Sequence, residues 1–321
     1  MAKVSICVPV YNNLSCVRRL MKSIAGQDYT DFEIIITDDS TNSEIEDYIH
    51  GIQNEEDHTF PTGIRSKIRY QHNEKPLGHI FNWNEALSLA EGEYIKIMFS
   101  DDWFSQDDSL RKMVELLEDN KSATLAFCGT GQVLVKGEAE ELLRKRAASE
   151  EFIKQMKKDY RYLFLGDEVG APSATIYRNE HFRFDEKSSW ASDMFLYFDI
   201  LEKNSVFAWT KEPLINIGEH EEQYTYMFRE RDERKYEDYR YMYEKYNLSV
   251  NDDCKEYFFR EFLLPYGKGG KAAAACGIDP REYRKERIKY LWNAKIKAYW
   301  NAGIRKICAF GKNRGERHVR S

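Results

Sequence analysis

The N-terminal part of the chain alternates short apolar runs with segments whose apolar residues recur every three or four positions. The runs VSICVPV (4–10), FEIIITDDS (32–40), IRYQHN (68–73), YIKIMFS (94–100) and ATLAFCG (123–129) are typical of buried strands. The segments between them have the spacing of amphipathic helices. Strands alternating with helices predict an α/β fold, a doubly wound and mainly parallel sheet with helices on both faces.

Polar residues precede the apolar face of the predicted helices. Asn12 or Asn13 can cap the first helix, and Ser43 with Glu46 has the spacing of a capping box at the second. The inward positions are expected to be Val17, Leu20, Met21 and Ile24; Ile45, Ile49 and Ile52; Trp83, Leu87 and Ala90; and Leu110, Met113, Val114 and Leu117.

Acidic and polar residues follow three of the predicted strands. Ligands of parallel sheets bind where the strands end, so the loops after Val10, Thr37 and Ser100 are expected to open on one crevice. The polar groups of these loops are Tyr11 and Asn12, Asp38 and Asp39, and Asp101 and Asp102.

The adjacent acids Asp101 and Asp102 repel each other unless a cation lies between them or one of them caps a helix. Asp107, Asp108 and Ser109 already offer caps for the next helix, which favours a cation. No glycine-rich phosphate loop follows any strand, which argues against a dinucleotide oxidoreductase or a P-loop hydrolase. Mg²⁺ or Mn²⁺ held by carboxylates would instead neutralise a diphosphate.

Composition and charge narrow the possible partners. The 321 residues are 42% hydrophobic with a formal net charge of −6, so the sequence predicts a globular protein without overall attraction to nucleic acid. No apolar stretch is long enough to cross a bilayer. Because the cysteines lack CxxC or zinc-type spacing, we expect reduced thiols and a cytoplasmic location. They are Cys7, Cys16, Cys128, Cys254, Cys276 and Cys308.

The ordered stretches VSICVPVYNN, FEIIITDDST, NEKPLGHIFNWNEALSLAEGEYIKIMFSDDWF and GAPSATIYRNEHFRFDEKSSWASDMFLYFDIL resemble the family 2 glycosyltransferases. The likeness extends over roughly residues 3–220. It implies the GT-A fold and an inverting transfer of sugar from a nucleotide-diphosphate donor, with a UDP-sugar as the favoured donor. A saccharide or lipid-linked acceptor in bacterial surface polysaccharide synthesis is implied as well.

The same resemblance implies roles for individual residues. Pro9 and Tyr11 match the loop beside the nucleotide base, and Asp39 matches the carboxylate that accepts a hydrogen bond from the base ring. Asp101 matches an acid of the DxD region that contacts the nucleotide through Mn²⁺ or Mg²⁺. Asp193 matches the base that activates the acceptor hydroxyl. The implied metal ligands are Asp101, Asp102 and His220, of which Asp102 could equally be a supporting residue or a helix cap.

Two positions depart from the family pattern. Phe99 stands where the first acid of the common DxDD spelling belongs, and Ser192 stands where Glu commonly precedes the catalytic Asp. These departures keep a second interpretation open, a catalytically impaired sugar-binding or scaffold protein. A sugar nucleotidyltransferase is a third, although VPVYNNLSCVRR lacks the expected glycine-rich phosphate loop. For Asp38 and Asp39, Asp193 and His220, turn, cap and surface roles remain alternatives.

The sequence divides into a glycosyltransferase-like domain over 1–224 and a charged, tyrosine-rich helical extension over 225–321. Tyr236, Tyr239, Tyr243 and Tyr246 have helical spacing and are expected to face inward. Residues 281–321 carry 13 Lys or Arg against 3 acids, interleaved with aromatic residues. Such a tail favours either peripheral contact with the anionic inner face of the plasma membrane or packing on protein. The segment 137–151 is expected to be mobile and to take part in closing the crevice.

Overall fold

The computed structural model describes residues 2–54, 60–137, 139–219 and 232–293. Its strands are β1 (Val4–Val10), β2 (Phe32–Asp38), β3 (Ile68–His72), β4 (Tyr94–Ile97), β5 (Asp102–Phe104), β6 (Leu125–Lys136), β7 (Ala139–Arg146), β8 (Thr175–Arg178) and β9 (Phe207–Glu219). Its α-helices are α1 (Leu14–Ala25), α2 (Glu44–Gln53), α3 (Thr62–Arg65), α4 (His79–Ser88), α5 (Ser109–Asp119), α6 (Glu150–Lys158), α7 (Ser192–Lys203), α8 (Glu233–Lys245), α9 (Asp252–Phe258), α10 (Leu264–Tyr266), α11 (Gly269–Ala275) and a last helix over 280–293.

The described strands form one sheet in the order β3-β2-β1-β4-β8-β6-β9-β5, with β7 attached to β6. β3, β2, β1 and β4 are parallel, and Val4 pairs with Phe32 on one side and Tyr94 on the other. β8 runs antiparallel between β4 and β6, and β5 runs antiparallel to β9. The predicted α/β fold is confirmed, but the second half of the sheet is mixed rather than parallel.

Helices cover both faces of the sheet. Ile6 of β1 belongs to the apolar core that contains Leu20 of α1 and Ile49 of α2. Its neighbour Cys7 points the other way, where its Sγ lies 3.6 Å from the carbonyl oxygen of Ala86 in α4. Successive side chains of a strand face opposite sides, so α1 and α2 lie across the sheet from α4.

The predicted helix faces agree with the structure except at Trp83, which is only partly buried. Asn13 caps α1, since its side chain accepts a hydrogen bond from the backbone N–H of Cys16 at 3.2 Å. The predicted capping box at Ser43 is absent. The Ser43 hydroxyl donates to the Asp47 carboxylate at 3.1 Å instead of accepting from the helix backbone.

One predicted strand is too long, and one segment contains a strand that was not predicted. The strand expected over 94–100 ends at Ile97, because the backbone N–H of Phe99 turns to the Ser173 hydroxyl at 3.0 Å. Segment 137–151 contains β7, which pairs with β6, and its role in closure stays a prediction. An ion pair of 3.0 Å between Arg19 and Glu140 ties this hairpin to α1.

The chain divides into two compact units, residues 1–238 and 239–321. The boundary predicted between residues 224 and 225 lies outside the described residues. All four predicted inward-facing tyrosines are buried, three of them in α8 and Tyr246 directly after it. In the second unit Tyr243 stacks on Phe258 with ring centroids 4.5 Å apart, and Tyr239 stacks on Phe262 at 4.1 Å. Within the described ranges, no helix is both long and apolar enough to cross a membrane.

Candidate active site

The loops after β1 and β2 are joined at the carboxyl edge of the sheet. The backbone N–H of Asp39 donates to the Val10 carbonyl at 3.0 Å, and that of Asn12 donates to the Ser40 hydroxyl at 2.8 Å. Pro9 is buried within β1, whereas Tyr11 is 57% exposed and available to a ligand. The nucleotide-binding roles of Pro9 and Tyr11 stay predictions.

Asp39 organises the loop that leads into α4. Its buried carboxylate accepts hydrogen bonds from the Asn73 side chain at 2.9 Å and from the backbone N–H groups of Leu77 and Gly78 at 2.8 Å each. Gly78 has a φ of +89°, a conformation that favours glycine. A carboxylate has about four acceptor positions, so these three bonds leave room for one more donor. Base recognition by Asp39 stays a prediction.

Asp101 and Asp102 differ in their surroundings. Asp102 begins β5, pairs with Ile217 of β9 and is 3% exposed. Burial, and after it the charge of Asp101, raises the pKa of Asp102 well above its ordinary value. Asp101 is more exposed, and its charge contributes to a raised pKa of Cys16, whose main cause is burial. The more accessible carboxylate of the pair is therefore Asp101, whose charge acts on Cys16 of α1.

A buried lysine lies beneath the acidic pair. Lys96 is fully buried in β4, and its Nζ donates to the Ile97 carbonyl at 3.1 Å and to the Ser173 carbonyl. Burial lowers the pKa of Lys96 to about 7, against the opposing charges of Cys128 and Asp102. Asp102 also hydrogen-bonds to the Ser173 side chain. Ser173 thus hydrogen-bonds to Asp102, and Lys96 acts on Asp102 through its charge.

The carboxylates of Asp101 and Asp102 fit a divalent cation that takes most of its ligands from phosphate oxygens and water. Asp101 is the more accessible acid of the pair, and its negative charge on buried Asp102 is a repulsion that a bound cation would relieve. Within the described ranges, no group of three His, Cys, Asp or Glu residues could hold a metal. Mg²⁺ is commonly bound through one or two carboxylates plus phosphate oxygens and water, which two acids can satisfy.

The end of β9 lies against the acidic pair. A Cβ atom at Gly218 would collide with the Asp101 carbonyl oxygen, so only glycine permits this approach. Strand pairing of Asp102 with Ile217 places the two segments side by side. His220, the third predicted metal ligand, lies outside the described residues.

Phe99 fills the position where the family pattern has an acid. Its ring lies 4.7 Å from that of Trp83, which in turn lies 4.9 Å from Phe184. Trp103 is 6% exposed and carries the Arg19 guanidinium 4.9 Å from its ring. Both tryptophans therefore pack against other side chains of the protein.

Asp193 lies in the first turn of α7. Its Oδ1 accepts a hydrogen bond from the backbone N–H of Met194 at 2.8 Å. Burial, and after it the charge of Asp167, raises the pKa of Asp193 to about 7. The pKa of Asp167 is raised to about 6, also mainly by burial, although its carboxylate accepts from the backbone N–H groups of Val169 and Gly170. A carboxylate with a pKa near 7 can both accept and release a proton at neutral pH.

One short segment contacts both Asp102 and the helix that carries Asp193. Ser173, in a 3₁₀ turn over Pro172–Ala174, hydrogen-bonds to Asp102. The Tyr197 hydroxyl, one helical turn after Asp193, donates to the Gly170 carbonyl at 2.7 Å, and the Tyr197 side chain also hydrogen-bonds to that of Thr175. Residues 170–175 therefore connect the acidic pair to the helix that carries Asp193.

Comparison with known proteins identifies the family. A profile described as "Glycosyl transferase family 2" matches residues 5–184, which is more than half of the chain. The chain belongs to glycosyl transferase family 2. A crystal structure of residues 1–349 of TarS from Staphylococcus aureus in complex with UDP-GlcNAc has a TM-score of 0.60 at 17% identity, covering 81% of this chain and 74% of that one. That likeness establishes the fold alone.

Sequence relatives of this family 2 glycosyltransferase include bacterial enzymes. The GalNAc(5)-diNAcBac-PP-undecaprenol beta-1,3-glucosyltransferase of Campylobacter jejuni is 29% identical over 102 residues, 32% of this chain and 30% of that protein. The abequosyltransferase RfbV of Salmonella typhimurium is 33% identical over 106 residues, 32% of this chain and 29% of that protein. The chain thus matches less than a third of the length of either relative.

Sequence reasoning missed several residues of this family 2 site. Lys96 was hidden inside an apolar strand, where a lone charged residue was the available signal. Asp167 follows a glycine in a loop without a motif. Asn73 and Gly78 lie in the quoted NEKPLG stretch, but their contact with Asp39 depends on how β2, β3 and α4 pack.

Proposed function

We propose that the chain transfers a sugar, with inversion, from a nucleotide-diphosphate donor to a hydroxyl group of a saccharide or lipid-linked acceptor. Family membership supports the reaction class. UDP-GlcNAc in the TarS structure and the undecaprenol-linked acceptor named for the Campylobacter relative support a UDP-sugar donor and a lipid-linked acceptor. The observation that carries the proposal is segment 170–175, which contacts both Asp102 and the helix of Asp193.

Each acidic centre would serve one partner of the reaction. Asp101, with Asp102 behind it and His220 as a further candidate, would hold Mn²⁺ or Mg²⁺. Such a cation supplies positive charge to the leaving diphosphate. Asp193 would take the proton of the acceptor hydroxyl as the oxygen attacks the anomeric carbon, while the bond to the diphosphate breaks on the opposite face. A single displacement of this kind inverts the anomeric centre.

The residues of the site prepare this reaction in the absence of substrate. The raised pKa of Asp193 makes it a stronger base than an ordinary aspartate, and its place in the first turn of α7 is fixed by the Met194 bond. Ser173 and Tyr197 keep segment 170–175 between the two centres. Fixing donor and acceptor in line removes much of the entropic barrier to transfer.

The test is nucleotide release from a panel of sugar nucleotides, with Mn²⁺ and with saccharide or undecaprenyl-diphosphate-linked acceptors. We expect release to require a matching acceptor and to fall about 10²- to 10⁴-fold in Asp193→Asn, as for loss of a general base. NMR of the product should show an inverted anomeric configuration. A product with retained configuration, or full turnover by Asp193→Asn, would contradict the mechanism.

Phe99 favours a second candidate, a sugar-binding protein of this family without turnover. Its aromatic ring, packed on Trp83, replaces one carboxylate of the usual acidic motif. This candidate predicts that UDP-sugars bind without nucleotide release at any metal concentration. A nucleotidyltransferase would instead consume a nucleoside triphosphate and release pyrophosphate, which the same assay can detect.

We also propose that the basic tail contacts an anionic membrane surface. In the helix over 280–293, Ile288, Leu291 and Trp292 are 58%, 46% and 66% exposed, while Tyr283 is buried on the opposite side. Exposed basic residues flank this apolar stripe: Arg281, Arg284, Lys285 and Lys289. An exposed apolar stripe beside basic residues suits the boundary between anionic headgroups and acyl chains.

Vesicle sedimentation tests the membrane contact. We expect the protein to sediment with vesicles that contain phosphatidylglycerol and to be released from them by salt. It should not sediment with vesicles of pure phosphatidylcholine. The double change Ile288→Gln and Trp292→Gln should weaken sedimentation. Val250→Gln, which changes a residue 60% exposed elsewhere in the same unit, should not. Failure to sediment at low salt would reject the contact.

A further inference from the structure

The carboxylate of Asp238 closes the turn that leads into α7. Asp238 is 3% exposed and accepts hydrogen bonds from the backbone N–H of Trp190 at 2.6 Å and of Ala191 at 2.9 Å. It also accepts from the Ser189 backbone at 3.0 Å and the Ser189 hydroxyl at 3.1 Å. Four donors from three consecutive residues thus converge on one side chain.

Local sequence does not supply a cap for this helix. Ala191 occupies the N-cap position of α7 and makes no side-chain cap bond, since alanine has no acceptor. The first N–H groups of a helix need acceptors. Asp238, which lies 47 residues after Ala191 in the chain, accepts hydrogen bonds from the N–H groups of the turn just before α7. Hydrogen bonds to an ionised acceptor are about twice as strong as neutral ones.

We propose that Asp238 is the positioning residue of the candidate base, fixing the turn at 189–191 so that Asp193 enters the acceptor side of the site in a single orientation. This inference rests on the proposed function. Asp193 follows this turn by two residues, so motion of the turn would also move the Asp193 carboxylate. Lys235 supports the same turn, with its Nζ 4.4 Å from the centroid of the Trp190 ring.

Asp238 also acts on Asp193 through its charge. Asp167 from the preceding loop and Asp238 from α8 both raise the pKa of Asp193, while the backbone N–H of Met194 lowers it. Tyr197 on the same helix is the other titratable neighbour. Removing the charge of Asp238 should therefore make Asp193 a weaker base as well as a less ordered one.

Two variants separate position from charge. Asp238→Asn removes the charge and presents an amide N–H₂ to the backbone N–H groups, whereas Asp238→Glu keeps the charge and displaces the carboxylate by one methylene. Glu237→Gln is the matched control, since this neighbour on α8 is exposed and loses the same charge. The readouts are hydrogen exchange of segment 188–195, donor affinity, and the pH dependence of kcat, all on the full chain.

We expect Asp238→Asn to speed amide exchange at 189–191 at least tenfold, lower kcat at least tenfold, and leave donor affinity within about twofold. The acid limb of its kcat profile should move to lower pH, because a negative neighbour of Asp193 is gone. Asp238→Glu should speed exchange and lower kcat, yet keep the acid limb in place. Glu237→Gln should match the unchanged protein in all three readouts.

The inference would be overturned if amide exchange at 189–191 in Asp238→Asn and Asp238→Glu were as slow as in Glu237→Gln. It would also be overturned if the acid limb of the kcat profile of Asp238→Asn did not shift. If Asp238→Asn does not fold, Asp238→Glu decides through exchange and kcat. If the unchanged protein transfers no sugar, the proposed function fails on its own, and exchange at 189–191 still decides whether Asp238 holds the turn. If Asp193→Asn keeps full activity while Asp238→Glu is impaired, the proposed role of Asp193 as the base fails, but the role of Asp238 in holding the turn does not.

Discussion

Replacing Asp193 by asparagine should stabilise the folded protein at neutral and alkaline pH. The folded pKa of about 7 lies above the ordinary value of 3.8. Below pH 4 both folded and unfolded states hold the proton, so the carboxylate costs nothing. As the pH rises from 4 to 7 the unfolded state releases its proton first, and the free energy of unfolding falls. A neutral asparagine side chain at this position would carry no such penalty.

The size of the gain follows from the shift. A difference of roughly three pKa units corresponds to about 4 kcal/mol, at about 1.36 kcal/mol per unit. Asp193 keeps partial contact with solvent, which screens its repulsion from Asp167, so we expect about half of this, ~2 kcal/mol. Asparagine retains an oxygen that can accept from the Met194 N–H, so this hydrogen bond can survive the change.

Urea unfolding at pH 5 and pH 8 measures the effect. Asp193→Asn should be more stable than the unchanged protein at pH 8, and the difference should shrink towards pH 5 and vanish near pH 4. Glu202→Gln, on the exposed side of the same helix, serves as the matched control and should show no comparable pH-dependent gain. An Asp193→Asn protein that is equally or less stable at pH 8 would refute the electrostatic description of the site.

Three further changes test the remaining parts of the site. Asp101→Asn should abolish Mn²⁺-dependent UDP binding in calorimetry while leaving the unfolding temperature within a few degrees; unchanged affinity would remove Asp101 from the donor site. Lys96→Met should cost about 1–3 kcal/mol in urea unfolding, because the Ser173 carbonyl loses a buried donor, and equal stability would contradict that bond's importance. Asp39→Ala should speed amide exchange at Leu77 and Gly78, which lose their shared acceptor, and unchanged exchange would show that other contacts hold the loop.

The regular elements were predictable because their signals are local. The buried positions of α1, α2 and α5 follow from apolar spacing that one face of a helix imposes, and β1 and β2 are continuous apolar runs. The end of β4 was not predictable, since apolar Met98 and Phe99 continue the pattern. Strand pairing stops there because the Phe99 N–H bonds to Ser173, 74 residues away in the chain.

The site was predictable only where residue types form a motif. Asp101 and Asp193 are candidates through resemblance, and the structure gives the acidic pair and Asp193 different neighbours that no spacing encodes. The charge of Lys96 in β4 acts on Asp102 in β5, which is not its neighbour in the sheet, and the charge of Asp238 in α8 acts on Asp193. Long-range partners of this kind decide pKa values and orientation, and they depend on packing rather than on local sequence.

The acidic pair carries less negative charge than the family motif that it resembles. Phe99 stands in place of one acid, Asp102 is 3% exposed, and Asp101 is the more accessible carboxylate of the pair. One partly exposed carboxylate beside a buried one should bind a divalent cation weakly, because such a cation gives up its bound water reluctantly. The diphosphate of a donor would add the missing negative oxygens. We therefore expect metal and nucleotide to bind together, so that Mn²⁺ alone gives no calorimetric signal, UDP alone binds weakly, and the two together bind tightly. Strong binding of Mn²⁺ without nucleotide would point to ligands beyond Asp101.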